Sequence, residues 1–172
     1  MRVLTISADN FEDSELTEPV AALRQAGIDV DIASPGAGTI IGKNGAQVEA
    51  NLDVVDARAT DYDMLLLPGG KAPAQLRQLE TVLALAQSFM DADEPVAAIC
   101  HGPQVLISAD RVLGRRMTSY ESVASELKAA GADYTDDEVV IDRNLITSRQ
   151  PGDIPAFIEQ MLRTLRETAA AD

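Results

Sequence analysis

Short apolar segments alternate with longer amphipathic segments along most of the chain, and this alternation limits the possible folds more than any other feature. Residues 3–7, Met64–Leu67 and Val96–Ile99 have the length of strands and lack the polar alternation of a strand with one wet face. Such strands are typical of a parallel sheet that is covered on both faces. Residues 13–26 and 151–168 place apolar side chains every three or four positions, which predicts helices with one buried side. The pattern therefore predicts an α/β fold, with a mostly parallel central sheet between two layers of helices.

Nothing in the sequence divides the chain into separate parts. It contains 172 residues, the length of one ordinary domain, and has no Gly/Ser-rich linker or internal repeat. We therefore predict one three-layer domain over residues 1–172. The remaining predicted elements are helices over residues 74–92 and 123–130, and hairpins over residues 39–49, with a two-residue turn at Asn44-Gly45, and over residues 139–148.

The composition is strongly acidic, which excludes some partners. The chain has 28 Asp and Glu residues against 14 Lys and Arg residues, a net charge of −14. Such a surface repels phosphate backbones, so we expect no binding to nucleic acid. The apolar runs have only strand length, which predicts no membrane span. Asp9 and Glu12 follow the first run too closely for a signal peptide, so we expect a cytoplasmic protein.

The chain has a single cysteine and a single histidine, and they are adjacent. With one Cys and one His, no intrachain disulfide can form, and a metal site or other cofactor is not expected. Cys100 follows an apolar strand and precedes a helix that starts at Pro103, with the small residues Ala98 and Gly102 on either side. This pattern predicts a nucleophile elbow, in which a helix N-terminus lowers the thiol pKa. An inert, buried cysteine is the alternative interpretation.

Three loops should meet near Cys100. In open α/β sheets the reactive crevice lies beyond the carboxyl ends of the strands, so residues 9–12, 68–70 and 100–102 should converge. Gly69 and Gly70 would let backbone N–H groups approach an oxyanion, unless they form an ordinary turn. Glu12 would point at Cys100 and hold a proton, unless it is a solvated acid in the first turn of a helix.

The role of His101 stays open at this stage. Consecutive side chains seldom face each other, so a contact between Cys100 and His101 requires the unusual backbone of an elbow. His101 is then a general base, or it contributes mainly its backbone N–H to an oxyanion site.

Together these residues resemble the PfpI-type (ThiJ/PfpI) family of the class I glutamine amidotransferase-like superfamily, over about residues 2–165. The resemblance is carried by Val-Ala-Ala-Ile-Cys100-His101-Gly102-Pro103, Leu-Leu-Leu-Pro68-Gly69-Gly70-Lys-Ala-Pro, Phe11-Glu12-Asp13-Ser-Glu15-Leu, Thr118-Ser119-Tyr120 and Ser148-Arg149-Gln-Pro151-Gly152-Asp153.

The resemblance implies a flavodoxin-like sandwich and a set of site residues. Cys100 would be the nucleophile, His101 the base and Glu12 the carboxyl that touches the sulfur. Gly70 and His101 would donate their N–H groups to an oxyanion, and Gly69 and Tyr120 would line the pocket. The resemblance also implies a homodimer or a larger homo-oligomer, with the site near a subunit interface.

The sequence departs from the family pattern at two positions. In the protease-like branch, a Glu shortly after the Gly-Gly loop reaches a neighbouring subunit and orients its His, whereas this chain has Ala74 there. A His that is frequent in relatives is replaced by Gln150. Without an orienting acid, control of the His101 tautomer is weakened, which disfavours hydrolysis of peptide bonds.

Three functions follow from the residues and the resemblance. The first is a cofactor-independent cysteine enzyme of the glyoxalase or deglycase type, acting on small aldehydes such as methylglyoxal or on early glycation adducts. The second is an intracellular cysteine peptidase or amidase. The third is a non-enzymatic redox sensor or stress protein that uses an easily oxidised Cys100.

Overall fold

The computed structural model describes residues 1–172 and contains eleven strands and six α-helices. The strands are β1 Arg2–Ile6, β2 Asp29–Ser34, β3 Gly38–Ile41, β4 Gln47–Ala50, β5 Leu52–Asp53, β6 Met64–Leu67, β7 Val96–Ile99, β8 Arg116–Met117, β9 Asp133–Tyr134, β10 Val139–Asp142 and β11 Leu145–Ser148. The helices are α1 Asp13–Gln25, α2 Ala72–Leu76, α3 Glu80–Asp91, α4 Pro103–Ser108, α5 Ala124–Ala129 and α6 Ile154–Ala171.

Seven strands form the central sheet in the order β10-β11-β7-β6-β1-β2-β5. All neighbours in this sheet are parallel except β10 and β11, which form the predicted second hairpin. The four residues of β6 and the four of β7 are all buried, as the lack of polar alternation predicted. The structure therefore confirms a mostly parallel α/β sandwich of the flavodoxin-like type.

Helices cover both faces of this sheet. α1 packs against α6, and α3 packs against α4 and β6. α6 shows why such a helix forms: Phe157, Met161 and Leu165 recur every fourth residue and all three are buried. These side chains belong to one apolar cluster of 44 buried residues that fills the space between helices and sheet. None of the helices combines the length and the apolar character needed to span a membrane.

The prediction of one helix over residues 74–92 is wrong. The structure has two helices there, α2 and α3, separated by an extended Leu79 with φ −100° and ψ 116°. Arg77 lies at the break, where its side chain donates to Ser108 and forms an ion pair with Glu126. The helix predicted over residues 123–130 is also shorter, because a 3₁₀ turn at Glu121–Val123 precedes α5.

The first hairpin, β3 and β4, is confirmed, but its two-residue turn is not. The strands pair up to Ile41 and Gln47, which leaves a longer loop between them. The Asp13 carboxylate accepts hydrogen bonds from the backbone N–H groups of Asn44 and Ala46 at 3.1 and 2.9 Å. This loop is therefore fixed to the start of α1, which brings its remaining side chains to the carboxyl edge of the sheet.

Candidate active site

Cys100 lies at a sharp turn between β7 and α4. Its φ is +64°, a left-handed conformation that is uncommon and unfavourable for a residue with a side chain. The Gly102 N–H donates to the Ile99 carbonyl at 2.8 Å, and a Cβ at Gly102 would overlap the Leu67 carbonyl oxygen. The turn thus requires glycine at this position, and it has the geometry of the predicted elbow.

The three loops that were predicted to converge do so. The Glu12 N–H donates to the Gly69 carbonyl at 3.2 Å, and the Lys71 N–H donates to the Asn10 carbonyl at 2.8 Å. Gly70 has a φ of +84°, and a Cβ there would overlap the backbone of Glu12. The same loops bring the backbone N–H groups of Gly70 and His101 close enough to the Cys100 sulfur to lower its pKa.

The carboxyl group beside the sulfur belongs to Glu15. This side chain projects from α1 and has no solvent exposure. Its Oε1 accepts a hydrogen bond from the Gly69 N–H at 3.0 Å, and its Oε2 is buried without a conventional hydrogen-bond partner. Burial, with the nearby charge of Glu12, raises the pKa of the Glu15 carboxyl to about 8, although its contact with the Cys100 thiol opposes this shift. Glu15 therefore keeps its proton at neutral pH.

Glu12, which was predicted to touch the sulfur, has a different position. Its carboxylate forms an ion pair with Lys43 of the β3–β4 loop, and the two side chains lie in the wall of the pocket. The carboxyl group beside the sulfur therefore lies three residues later in the chain than predicted. The signal for Glu15 was its position next to Leu16 and four residues before Pro19, on the buried side of α1.

The thiol pKa is also the opposite of the prediction. Burial, together with the neighbouring Glu15 carboxyl, raises the pKa of Cys100 to about 12, and the N–H groups of Gly70 and His101 only reduce this shift. The following helix has six residues and starts with proline, which has no N–H to offer, so it does little to stabilise a thiolate. The resting sulfur is consequently a thiol, and it needs a base at the moment of reaction.

The imidazole of His101 is the basic side chain beside this thiol. Its Nδ1 lies 3.4 Å from the Cys100 sulfur, and its Nε2 lies 3.4 Å from the Ser122 hydroxyl. The ring stacks on Tyr120 with centroids 5.0 Å apart. Burial and the Lys43 charge lower the pKa of His101, so the imidazole is neutral at pH 7 and can accept a proton. Ser122 and Lys43 were not found from the sequence, since both lie in loops whose path depends on the tertiary structure.

The pocket above Cys100 has a volume of about 720 Å³. Its lining residues are Glu12, Lys43, Gly70, Lys71, Ala74, Cys100, His101, Gln104, Tyr120 and Pro151. Gly69 lies below it, against Glu15 and the Cys100 Cβ. Gln150 is exposed beside Pro151. No group of three or more His, Cys, Asp or Glu side chains is arranged to hold a metal ion.

The fold and the site together define an α/β sandwich with a cysteine at a nucleophile elbow, facing a buried carboxyl group and an imidazole. The sequence model of the DJ-1/PfpI family matches residues 1–164, and the chain belongs to this family.

Named relatives cover nearly the whole chain. A deglycase of Pyrococcus abyssi is 43% identical over 166 residues, which is 96% of this chain and 100% of that protein. A putative cysteine protease, YraA, of Bacillus subtilis is 41% identical over 166 residues, or 96% of this chain and 98% of that protein. A solved two-domain protein of Anabaena variabilis with DJ-1/ThiJ/PfpI-like and ferritin-like domains superposes with a TM-score of 0.94 at 36% identity. This match covers 95% of the present chain and 48% of the two-domain protein.

Proposed function

We propose that the protein is a cofactor-independent deglycase-type enzyme that acts on reactive carbonyl compounds. The observation that carries this proposal is the Glu15 carboxyl beside the Cys100 thiol, with a pKa raised to about 8, since this chemistry needs a nucleophile and a proton carrier at one carbon atom. The relatives named as deglycases support the same class of substrate.

The first step is attack by Cys100 on the aldehyde carbon of an α-oxoaldehyde such as methylglyoxal. His101 Nδ1 takes the thiol proton while the carbon–sulfur bond forms and the carbonyl electron pair moves to oxygen. The N–H groups of Gly70 and His101 lie beside the sulfur, where they stabilise the negative oxygen of the new hemithioacetal. Return of the proton from His101 to this oxygen completes the step.

The second step moves a proton between adjacent carbon atoms. The fraction of Glu15 that is ionised near neutral pH removes the hydrogen from the carbon bound to sulfur, while the hydroxyl proton on that carbon passes through His101 to the neighbouring oxygen, which gives an enediolate. Glu15 then returns its hydrogen to the neighbouring carbon, and the carbonyl group re-forms at the carbon bound to sulfur. The product is a thioester of Cys100, and water hydrolyses it to lactate and the free thiol. A pKa of about 8 suits both halves of this transfer near neutral pH. No oxidant is consumed, because one carbon is oxidised as its neighbour is reduced.

With an early glycation adduct, the same attack displaces an amine or a thiol from the aldehyde carbon. The bond from carbon to the amine nitrogen breaks, and protonated His101 supplies the proton that the amine needs to leave. The later steps are unchanged, so the products are lactate and the repaired amine.

The test is lactate formation from methylglyoxal and from a methylglyoxal-treated amino acid. We expect Cys100→Ala to abolish turnover and Glu15→Gln to lower kcat by at least about a hundredfold, the usual contribution of a general acid–base group. Glu18→Gln, which changes an exposed acid on the same helix, should keep wild-type activity. Equal lactate formation by the wild type and Cys100→Ala would refute the proposal.

A peptidase or amidase is the second candidate, and the contact of 3.4 Å between Cys100 and His101 Nδ1 favours it. The relative named as a putative cysteine protease agrees with it. Within this chain, however, the other ring nitrogen has only Ser122 near it, and no carboxylate orients the imidazole. Release of a chromogenic amine from peptide amides by the wild type, at a rate above that of lactate formation, would favour the peptidase.

The redox-sensor hypothesis has less physical support. A raised thiol pKa leaves little thiolate at neutral pH, and the thiolate is the form that peroxide oxidises readily. Mass spectrometry of Cys100 after mild peroxide treatment tests this interpretation directly.

We also propose that the protein acts as a single-domain homodimer or larger homo-oligomer in the cytoplasm. The family resemblance suggests this assembly, and sedimentation measurements over a range of protein concentrations would test it.

A further inference from the structure

Lysine is rare in this chain, and its distribution is uneven. The 172 residues include only Lys43, Lys71 and Lys128, against 28 acidic residues. Two of the three, Lys43 and Lys71, line the pocket above Cys100. Lys43 is neutralised by Glu12, whereas Lys71 forms no ion pair with any residue of the chain.

The charges around the pocket leave one unbalanced positive group. Glu12 and Lys43 cancel each other, and Glu15 keeps its proton at neutral pH because its pKa is about 8. His101 is neutral, since burial lowers its pKa. The remaining charge of the lining residues is that of the Lys71 ammonium group. A positive pocket in a protein of net charge −14 favours a ligand that carries a negative charge.

Lys71 begins close to the reacting atoms. It directly follows Gly70, whose N–H contacts the Cys100 sulfur, and its own N–H is fixed to the Asn10 carbonyl at 2.8 Å. Its side chain is exposed, and it lines the pocket. The long, flexible stem of lysine suits contact with a group some distance from the reacting carbon.

The size of the pocket indicates where this negative group lies in the substrate. A volume of about 720 Å³ falls within the range of sites that enclose much larger ligands than a three-carbon aldehyde. Methylglyoxal itself is uncharged and would leave most of this space filled with water. A carbonyl adduct that retains its amino-acid carrier would fill the pocket and place a carboxylate near Lys71.

We propose that the preferred substrates are anionic carbonyl adducts, formed by an α-oxoaldehyde on a small thiol or amine that bears a carboxylate, with Lys71 as the residue that selects the carboxylate. This inference rests on the proposed deglycase function and narrows its substrate class. In the case of a thiol adduct, the bond from Cys100 to the aldehyde carbon forms as the bond to the carrier sulfur breaks. The Cys100 proton passes through His101 to the departing thiol, and the later steps give lactate.

A matched pair of substrates tests the inference. The hemithioacetals of methylglyoxal with N-acetylcysteine and with N-acetylcysteinamide have the same reacting atoms and differ only in the carboxylate. We expect wild-type kcat/KM for lactate formation to be roughly fivefold higher with the acid than with the amide, the effect of one partly solvated ion pair. Methylglyoxal alone, at the concentration of free aldehyde in each mixture, gives the background to subtract.

Variants at Lys71 locate the effect. Lys71→Gln should bring the ratio of kcat/KM for the acid to kcat/KM for the amide down to about one, whereas Lys71→Arg should retain the preference for the acid. Arg58→Gln removes one positive charge from an exposed site outside the pocket, and it should behave as the wild type.

The outcomes separate this inference from the function on which it rests. Equal wild-type kcat/KM for acid and amide would overturn the charge preference while leaving deglycase activity in place. An equal fall for both substrates in Lys71→Gln would overturn the selective role of Lys71. Absence of lactate from both adducts and from methylglyoxal would refute the proposed function itself, and the inference with it.

Discussion

A carboxyl group on the buried side of a helix destabilises the folded chain more when it is ionised than when it is protonated. Glu15 is such a group, because it has no solvent exposure and only its Oε1 has a hydrogen-bond partner, the Gly69 N–H. Burial raises the pKa of this carboxyl to about 8, whereas an unfolded chain ionises it near 4.5. Burial lowers the stability of the fold, but it also brings the pKa of the Glu15 carboxyl close to neutral pH, which suits a group that carries a proton.

Glu15→Gln should remove a pH-dependent loss of stability. Between pH 4.5 and 8 the folded wild type binds a proton that the unfolded chain releases, so its free energy of unfolding falls as pH rises. Each unit of the pKa difference corresponds to about 1.4 kcal/mol, which sets an upper limit of ~5 kcal/mol for the whole range. Relative to the wild type, Glu15→Gln should therefore become progressively more stable above pH 4.5 and reach a constant advantage above pH 8.

Urea unfolding at a series of pH values measures this difference. Glu18→Gln, on the exposed side of the same helix, is the matched control and should show no such trend. A constant difference between the wild type and Glu15→Gln from pH 4 to pH 9 would contradict the raised pKa.

The elbow is a property of two neighbouring strands, β6 and β7, and of the helix α4 that follows β7, rather than of Cys100 alone. β6 and β7 are paired in parallel register, so the Leu67 carbonyl lies directly beside the start of the turn. Gly102 passes over this carbonyl without room for a side chain, although its own φ of −50° is acceptable for any residue. Gly102 is therefore required because the end of β6 leaves no space for a side chain, and not because of its own backbone conformation.

Gly102→Ala should disturb both the fold and the position of the sulfur. The added methyl group would overlap the Leu67 carbonyl and approach the Ile99 carbonyl, and both are backbone atoms that cannot turn aside. We expect a loss of about 1–3 kcal/mol in the free energy of unfolding, as for other overpacked sites. The control is Gly152→Ala, where a Cβ meets no atom and φ is negative, and this variant should stay near wild-type stability. Equal stability of the two variants would show that the elbow tolerates a side chain.

At the scale of elements, the sequence predicted what depends on local pattern and missed what depends on distant partners. The buried strands β6 and β7 and the turn at Cys100 follow from uninterrupted apolar runs and small flanking residues. The break between α2 and α3 was missed, since it depends on contacts of Arg77 with Ser108 and Glu126. The five-residue loop at Gly42–Ala46 was missed because the Asp13 carboxylate that holds it lies far away in sequence. Likewise, Glu12 was predicted because it lies in the loop after β1, whereas Glu15 reaches the sulfur from the buried side of α1.

At the scale of the whole molecule, the groups around His101 depend on whether a second subunit contributes a side chain to the site. In one chain the His101 ring has Tyr120 on its face and Ser122 beside Nε2, but no carboxylate. Ala74 lies in the pocket wall. The family resemblance implies that the protease-like branch carries a Glu at this position, which would reach the neighbouring subunit. If the subunits of an assembly meet at this position, Ala74 supplies no acid for a Cys-His-acid triad.

Ala74→Glu should consequently increase amidase activity if the protein assembles as its resemblance to the family suggests. A carboxylate that accepts a hydrogen bond from Nε2 of the neighbouring subunit's imidazole would fix the tautomer with Nδ1 free to accept the thiol proton, and it would stabilise the imidazolium that forms. We expect kcat for a chromogenic peptide amide to rise by about tenfold or more, and the gain should fall on dilution below the dissociation constant of the oligomer. Gln75→Glu adds the same charge at the next, exposed position of α2 and should leave the amidase rate unchanged. If the increase in amidase kcat persists in the monomer, the introduced carboxylate acts on the imidazole of its own chain. If a stable oligomer shows no increase, the subunits meet through a different face.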